Sequence, residues 1–327
     1  MATLKLLSTP SSAYPGASHH VGSPGGYEVW HFHAEDVSKK LRLSIAFHDG
    51  FASHPDYIRQ YAAYRRRPTR NTPPTPRDFP CLQMHLYEDN KLLAASTALF
   101  FPGSFRAEPE GLLALASNRA QWNQNEISVS IPPLQNSFSA TLTFRSVLEA
   151  AQDKSFAIVT TADSEHHWLA SRPLCQVEGT IRIGDRKISL SGLGQHDHFH
   201  GTAPLLCLVS HSMWGCVLFP RAAVMFHIAD DRVLALVADE SGCHPVAGTQ
   251  PFGIQWKSSL LGTATYPSTI HFGDRIIFRS PRVLAKSSDQ LQLLFDAYVD
   301  GEQTNGWLEL TRRNKNLPFV STDADTK

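Results

Sequence analysis

From about residue 26 to the C-terminal end, apolar residues of this 327-residue chain mostly recur at every second position or gather in short runs of Val, Ile, Leu, Phe and Thr, with turn residues between them. That period is what most constrains the fold, because successive side chains of a strand point to opposite faces, whereas one helical face repeats every three to four residues. Tyr27–Ala34, Leu41–Phe47, Cys81–Tyr87, Leu92–Phe100, Glu126–Ile131, Ser139–Phe144 and Ser155–Thr161 read as strands. After Arg172-Pro173 the pattern resumes in Val177–Ile183, Lys187–Leu190, Leu205–Val209, Met213–Phe219, Ala223–Ala229, Val233–Ala238, Arg275–Arg279, Leu291–Tyr298 and Gly306–Thr311. Gly184-Asp185 supplies the turn of a hairpin between two of them. Short strands at this spacing predict an all-β protein of antiparallel sandwiches or barrels.

One segment breaks the period. PDYIRQYAAYRRR opens on a proline at a first helical position and sets Ile58, Tyr61, Ala62 and Arg65 on one face, which predicts a helix over 55–66. The following PTRNTPPTPRDFP has too many prolines to pair inside a sheet, so the two together form an excursion between strands, suited to cover a cleft mouth.

The length allows two domains. Residues 1–25, rich in Ser, Pro, Gly and Ala, read as a disordered or extended tail, 26–174 as an N-terminal β-domain and 175–327 as a C-terminal one. Thirty basic residues balance thirty acidic ones, which removes the long-range field expected of a nucleic-acid partner. The Arg65-Arg66-Arg67 run beside prolines reads as a solvated face. No stretch has the length of a membrane span, and no secretory leader is apparent. Five widely spaced cysteines form no disulfide or zinc-ribbon pattern, which points to a reducing, cytoplasmic setting. Nothing in the sequence sets the oligomeric state. P-loop, dinucleotide, nucleophile-elbow and HExxH motifs are all missing.

Gly194–Gly201, GQHDHFHG, is the densest chemistry in a chain with sixteen histidines. On a strand His196, His198 and His200 share one face while Asp197 and Phe199 point to the other. Such a pattern suits a metal site, an acid–base site or a polar strand edge. Alternate residues lie about 7 Å apart at Cα, so only adjacent histidines can share a metal, and a third ligand must come from elsewhere, such as His31, His33 or His211.

Three segments, GGYEVWHFHAED at 25–36, HHWLASRPLCQVEGTIRIGDRKISLSGLGQHDHFHG at 166–201 and NGWLELTR at 305–312, together resemble the carotenoid hydratases, or hydroxyneurosporene synthases, and their lipocalin-like relatives. The resemblance implies two lipocalin-like β-barrel or sandwich domains around an apolar cleft for long lipophilic molecules, with no cofactor and no metal. It further implies a reaction class: hydration of an isolated alkene, or cyclisation of a folded polyene. Glu28, Trp30, His196, Asp197, His198, Gly201 and Glu309 match the family pattern, whereas Val29, His31, His33, Phe199 and His200 depart from it. The departures mark a rebuilt substrate pocket, with Trp30, His31, His33, Phe199, His200 and Trp214 as its lining.

Alkene chemistry of this kind needs an acid shielded from water, which a buried carboxyl group supplies when desolvation keeps it protonated. Asp197 and Glu28 are the carboxyl candidates. His196 or His198, within hydrogen-bond reach of Asp197, would be the acid if Asp197 instead stays ionised and orients the imidazole. Phe32 joins the aromatic residues able to face a carbocation, and Glu309 is expected to serve as a structural hydrogen-bond acceptor. The expected activity is therefore a hydratase or cyclase acting on a polyene or isoprenoid by proton transfer. Its alternatives are a pericyclic cyclase and a lipophile-binding protein without catalysis.

Overall fold

The structure, a computed structural model, describes residues 6–8, 17–108, 111–134, 138–148, 154–246, 252–258, 265–287 and 290–313. It is all-β, with two antiparallel sheets of thirteen and nine strands that curl into half-barrels. The first sheet takes β1 (Leu6–Ser8), β2 (Tyr27–Asp36), β3 (Leu41–Asp49), β4 (Cys81–Glu88), β5 (Lys91–Leu99), β6 (Phe105–Glu108) and β7 (Leu112–Leu115). It continues through β8 (Asn118–Asn123), β9 (Glu126–Ile131), β10 (Phe138–Ser146), β11 (Lys154–Thr160), β12 (Glu165–Ile183) and β13 (Arg186–Gly201). The second takes β14 (His211–Leu218), β15 (Ala223–Ala229), β16 (Arg232–Asp239), β17 (Gly242–Pro245) and β18 (Phe252–Ser258), then β19 (Thr265–Phe272), β20 (Ile276–Lys286), β21 (Gln290–Val299) and β22 (Glu302–Arg312).

In the first sheet the order β5-β4-β3-β2-β13-β12-β10-β9-β8-β7-β6 places β13 beside β2, so two of the three sequence segments singled out above become neighbours. The second sheet runs β17-β16-β15-β14-β22-β21-β20-β19-β18. Each half-barrel fills its concave side with its own apolar residues, Trp30, Phe32, Phe47 and Phe144 in the first and Phe226, Phe278 and Phe295 in the second. A third cluster, with Tyr87, Trp168, Trp214 and Trp307, packs where the sheets face each other.

The division expected near residue 174 is corrected. Residue 174 lies inside β12, a single strand of nineteen residues, and the chain changes sheet between Gly201 and His211. Pro173 lacks a ladder N–H and interrupts the local pattern, but the β12/β13 register shifts on either side of Arg172 and the pairing resumes at Cys175. Irregularities of this kind absorb such a residue without ending the strand.

The helix forms as expected: α1 (Pro55–Arg66) has its proline in the first turn, and the His54 side chain accepts from the Asp56 N–H. Its buried face, Ile58 and Tyr61, packs on Ala203 and Cys207. Leu205–Val209 is not a strand; Leu205–Leu208 forms one helical turn, α2, that follows Pro204 and buries Leu206 and Cys207. Of the expected loose tail, residues 17–25 lie against the first sheet through Glu28, while 1–5 and 9–16 fall outside the described residues. Among the described residues no helix is long and apolar enough to cross a membrane.

Candidate functional site

β2 and β13 pair in register, with Trp30 opposite His198, His31 opposite Asp197 and Phe32 opposite His196. Directly opposed residues share a face. One face of this ribbon therefore carries Glu28, Trp30, Phe32, His196, His198 and His200 into the first sheet. The other turns Val29, His31, His33, Asp197 and Phe199 toward the second. Gly194 allows the close fit, since a Cβ there would lie 2.5 Å from the His33 carbonyl oxygen.

An open cleft lies between the sheets. Val29 and His31 from β2, Ser44, Ala46 and His48 from β3, and Gln83 and His85 from β4 form one wall. Ser212, Trp214, His227 and Glu309 from the second sheet form the opposite wall. Phe51, Ala52 and Ser53, the turn leading into α1, also line it, whereas no residue of the expected excursion over 55–80 is among the lining residues.

His31 is the focus of the polar wall. Its Nε2 lies 2.8 Å from the Ser44 hydroxyl. Its Nδ1 lies 3.3 Å from Asp197 Oδ1, a charge contact rather than a well-aligned hydrogen bond. The Trp168 indole N–H donates to the other oxygen, Asp197 Oδ2, at 3.0 Å. The Trp214 ring stands edge-on to His31 at 4.5 Å. Asp197 is fully buried and is not a lining residue; it reaches the cleft only through His31.

The remaining histidines of the cleft are held neutral by burial, which penalises the charged form. Desolvation pushes His48 and His227 down to about 3, and His166 well below its ordinary value. Each keeps one partner: Gln83 Oε1 at 3.0 Å for His48, the Ser212 hydroxyl at 2.8 Å for His227 and the Tyr27 hydroxyl for His166. Glu309 accepts from Gln292 Nε2 at 3.1 Å, consistent with its expected acceptor role, and it also lines the cleft. No lysine or arginine is among the lining residues.

The sequence grouped residues that the fold separates. Asp197 meets neither His196 nor His198; alternation puts both on the opposite face, and its partners are His31 and Trp168. His196 stacks on Phe32 at 4.4 Å, and its Nδ1 lies 3.0 Å from the His31 carbonyl oxygen. His198 stacks on Trp30 at 4.5 Å and lies 3.2 Å from Glu28. Glu28 is away from the cleft, accepting from Ser18 and from the backbone of His19 and Val21. Trp30 is a core residue between Phe105 and His198, and His200 stacks with His167 and His19. His33 is fully buried beside Trp307 without lining the cleft. Of the expected lining, His31, Phe199 and Trp214 are in place. Ser44, His48, His85 and His227 were missed, because they lie on or beside strands whose apolar alternation reads as ordinary core, and His166 because the first part of β12 was not read as a strand.

A fold of two curled antiparallel sheets with a cleft between them defines a lipocalin-like all-β protein of two units. No known family profile matches the chain. A hydroxyneurosporene dehydrogenase of Chlorobaculum tepidum is 26% identical over 229 residues, covering 65% of this chain and 59% of that protein, so less than two thirds of the relative's length is matched. Among solved structures, an AttH protein from Nitrosomonas europaea superposes with a TM-score of 0.61 at 16% identity, over 91% of this chain and 95% of that one. Kievitone hydratase from Nectria haematococca gives 0.56 at 10% identity over 94% and 93%, and CghA 0.54 at 10% over 93% and 94%. The likeness to these solved structures is one of fold.

Proposed function

We propose that the protein is a hydratase- or cyclase-like enzyme that transfers a proton to an alkene of a lipophilic polyene or isoprenoid held in the cleft between the sheets. The relay Trp168, Asp197, His31, Ser44 carries this reading, since it starts in the buried core and ends at the cleft wall. Asp197 stabilises the proton on Nδ1 and orients the ring, leaving Nε2 for exchange with the Ser44 hydroxyl. Ser44 gives its hydroxyl proton to one alkene carbon as it takes the proton of Nε2. The π pair forms the new C–H bond and the neighbouring carbon becomes cationic. In hydration a water oxygen bonds that carbon and its spare proton returns to the relay; in cyclisation a second alkene of the same chain takes the place of water, and a C–H proton is returned.

The surroundings support such a step. Tyr27, Phe199 and Trp214 line the cleft and supply aromatic rings of the kind that stabilise a cation. Buried neutral imidazoles add hydrogen-bonding capacity without positive charge, and Glu309 adds an acceptor. The curated relative is named as a dehydrogenase of hydroxyneurosporene and one structural neighbour as a hydratase; the second name agrees with the class.

A second reading, a pericyclic cyclase that works by holding a folded polyene, is favoured by the apolar part of the lining, Val29, Phe51, Leu205 and Leu206. The test starts from the lipophile extracted with the purified protein and identified by mass spectrometry, then returned to the protein in deuterated water. Deuterium on a product carbon is the expected result. Turnover without label selects the pericyclic reading, and binding without turnover leaves a carrier.

A further inference from the structure

We propose that His19, His198 and His200, with Glu28 as a fourth donor, bind one divalent transition-metal ion of the zinc class on the face of β13 turned away from the cleft. One ligand atom from each of the three histidines lies within 4.8 Å of the others. His198 is fully buried, yet neither of its ring nitrogens has a hydrogen-bond partner, and its Nε2 is 3.2 Å from Glu28 Oε2. The buried Nδ1 of His200 also lacks a partner. Buried polar nitrogens left this way are costly in a folded protein, and a metal would take up their lone pairs. Three imidazoles and a carboxylate form the donor set that suits zinc, and cobalt can replace zinc in such a site.

The ligands are held from behind. Glu28 accepts from the Ser18 hydroxyl at 3.1 Å, the Val21 N–H at 2.9 Å and the His19 N–H at 2.8 Å, which fixes both the carboxylate and the segment that carries His19. His167 stacks on His200 at 4.7 Å and is itself 2.9 Å from Glu165 at the rim. Donors around a tetrahedral zinc at about 2.1 Å are roughly 3.4 Å apart, so the cluster must contract on binding. His19 makes that movement: its ring lies stacked on His200 at 3.8 Å and must turn its nitrogen inward. It belongs to an irregular segment, so the turn breaks no sheet ladder. Four protein donors leave no open position, and the ion is structural: it clamps the amino-terminal segment to β13. The sequence alone pointed to no metal because one strand offers two convenient ligands; the third arrives from a segment with no periodicity.

The test uses untagged full-length protein, stripped by chelation and titrated with Zn²⁺ alone by calorimetry, with Co²⁺ absorption as a second readout. One equivalent should bind, Co²⁺ should give the intense visible bands of a four-coordinate ion, and Zn²⁺ should raise Tm. His19→Ala and His200→Ala should each weaken binding at least tenfold and abolish the shift in Tm, while His244→Ala should change neither. Absence of stoichiometric binding, or binding that persists in the His19→Ala protein, overturns the proposal. His19 lies outside the sheet ladder, so this variant stays informative even if His198→Ala fails to fold.

Discussion

The two faces of the β2–β13 ribbon carry much the same residue types and have different consequences. On the cleft face one carboxylate, Asp197, is reached by one imidazole and one indole, and the arrangement continues through Ser44 to a solvent-accessible wall. On the inner face Glu28 accepts three hydrogen bonds from the amino-terminal segment, and the imidazoles lie in stacks with Trp30, Phe32, His167 and His19. Histidines and carboxylates next to each other in sequence therefore belong to different environments, one facing the cleft and the other packed against the amino-terminal segment.

If this contrast is right, Trp30→Ala should give the largest loss, about 3–5 kcal/mol of stability, the usual range for removing a buried tryptophan. It should be read from urea unfolding, with turnover per folded molecule close to normal. Turnover falling much further than stability would place Trp30 in the reaction. Asp197→Asn should cut turnover by roughly a hundredfold, the scale of lost acid–base help, while ligand affinity stays within a few fold. A nearly active Asn protein, together with a larger loss in Trp214→Ala, would favour the pericyclic reading.

The buried cleft histidines provide a pH test. His227 has a folded value of about 3 against an ordinary 6.5, so the unfolded chain binds more protons between those values. Stability is complete above about pH 6.5 and falls as pH drops toward 3. For one such group the loss between pH 7 and pH 5 is about 2 kcal/mol. His227→Gln should flatten the dependence of the urea midpoint on pH by about that amount, and an unchanged slope would mean that the ring stays hydrated. Ser44→Ala is the mildest: about tenfold in kcat with KM unchanged, because a water can take the place of the hydroxyl. A loss equal to that of Asp197→Asn would make Ser44 the obligatory proton carrier.

Much of the scaffold was legible in the sequence. Alternation in β2, β3, β10, β14 and β15, the hairpin at Gly184-Asp185 and the proline-initiated α1 are local signals, set by side-chain period and backbone preference, and they come through without knowledge of partners. The boundary at 174 and the strand at Leu205–Val209 failed because Pro173 and Pro204 signal an interruption without saying whether register shifts or a helical turn will absorb it. Ser44 and His227 were hidden for another reason. A single polar residue in an apolar strand carries no sign of what lies across from it.

What the sequence by itself determined is the class of structure and the opposition within GQHDHFHG, since a period of two forces Asp197 away from His196 and His198 whatever the rest of the chain does. Tertiary structure alone decided which residues Asp197 would meet on its own face. His31 and Trp168 reach it through pairing across β2 and β12, the opposite cleft wall comes from the second sheet, and His19 joins the other face from an unpatterned segment. Strand pairing is set by the summed burial of many side chains and not by the few that do chemistry, so the partners of a functional residue are fixed only once the whole sheet is.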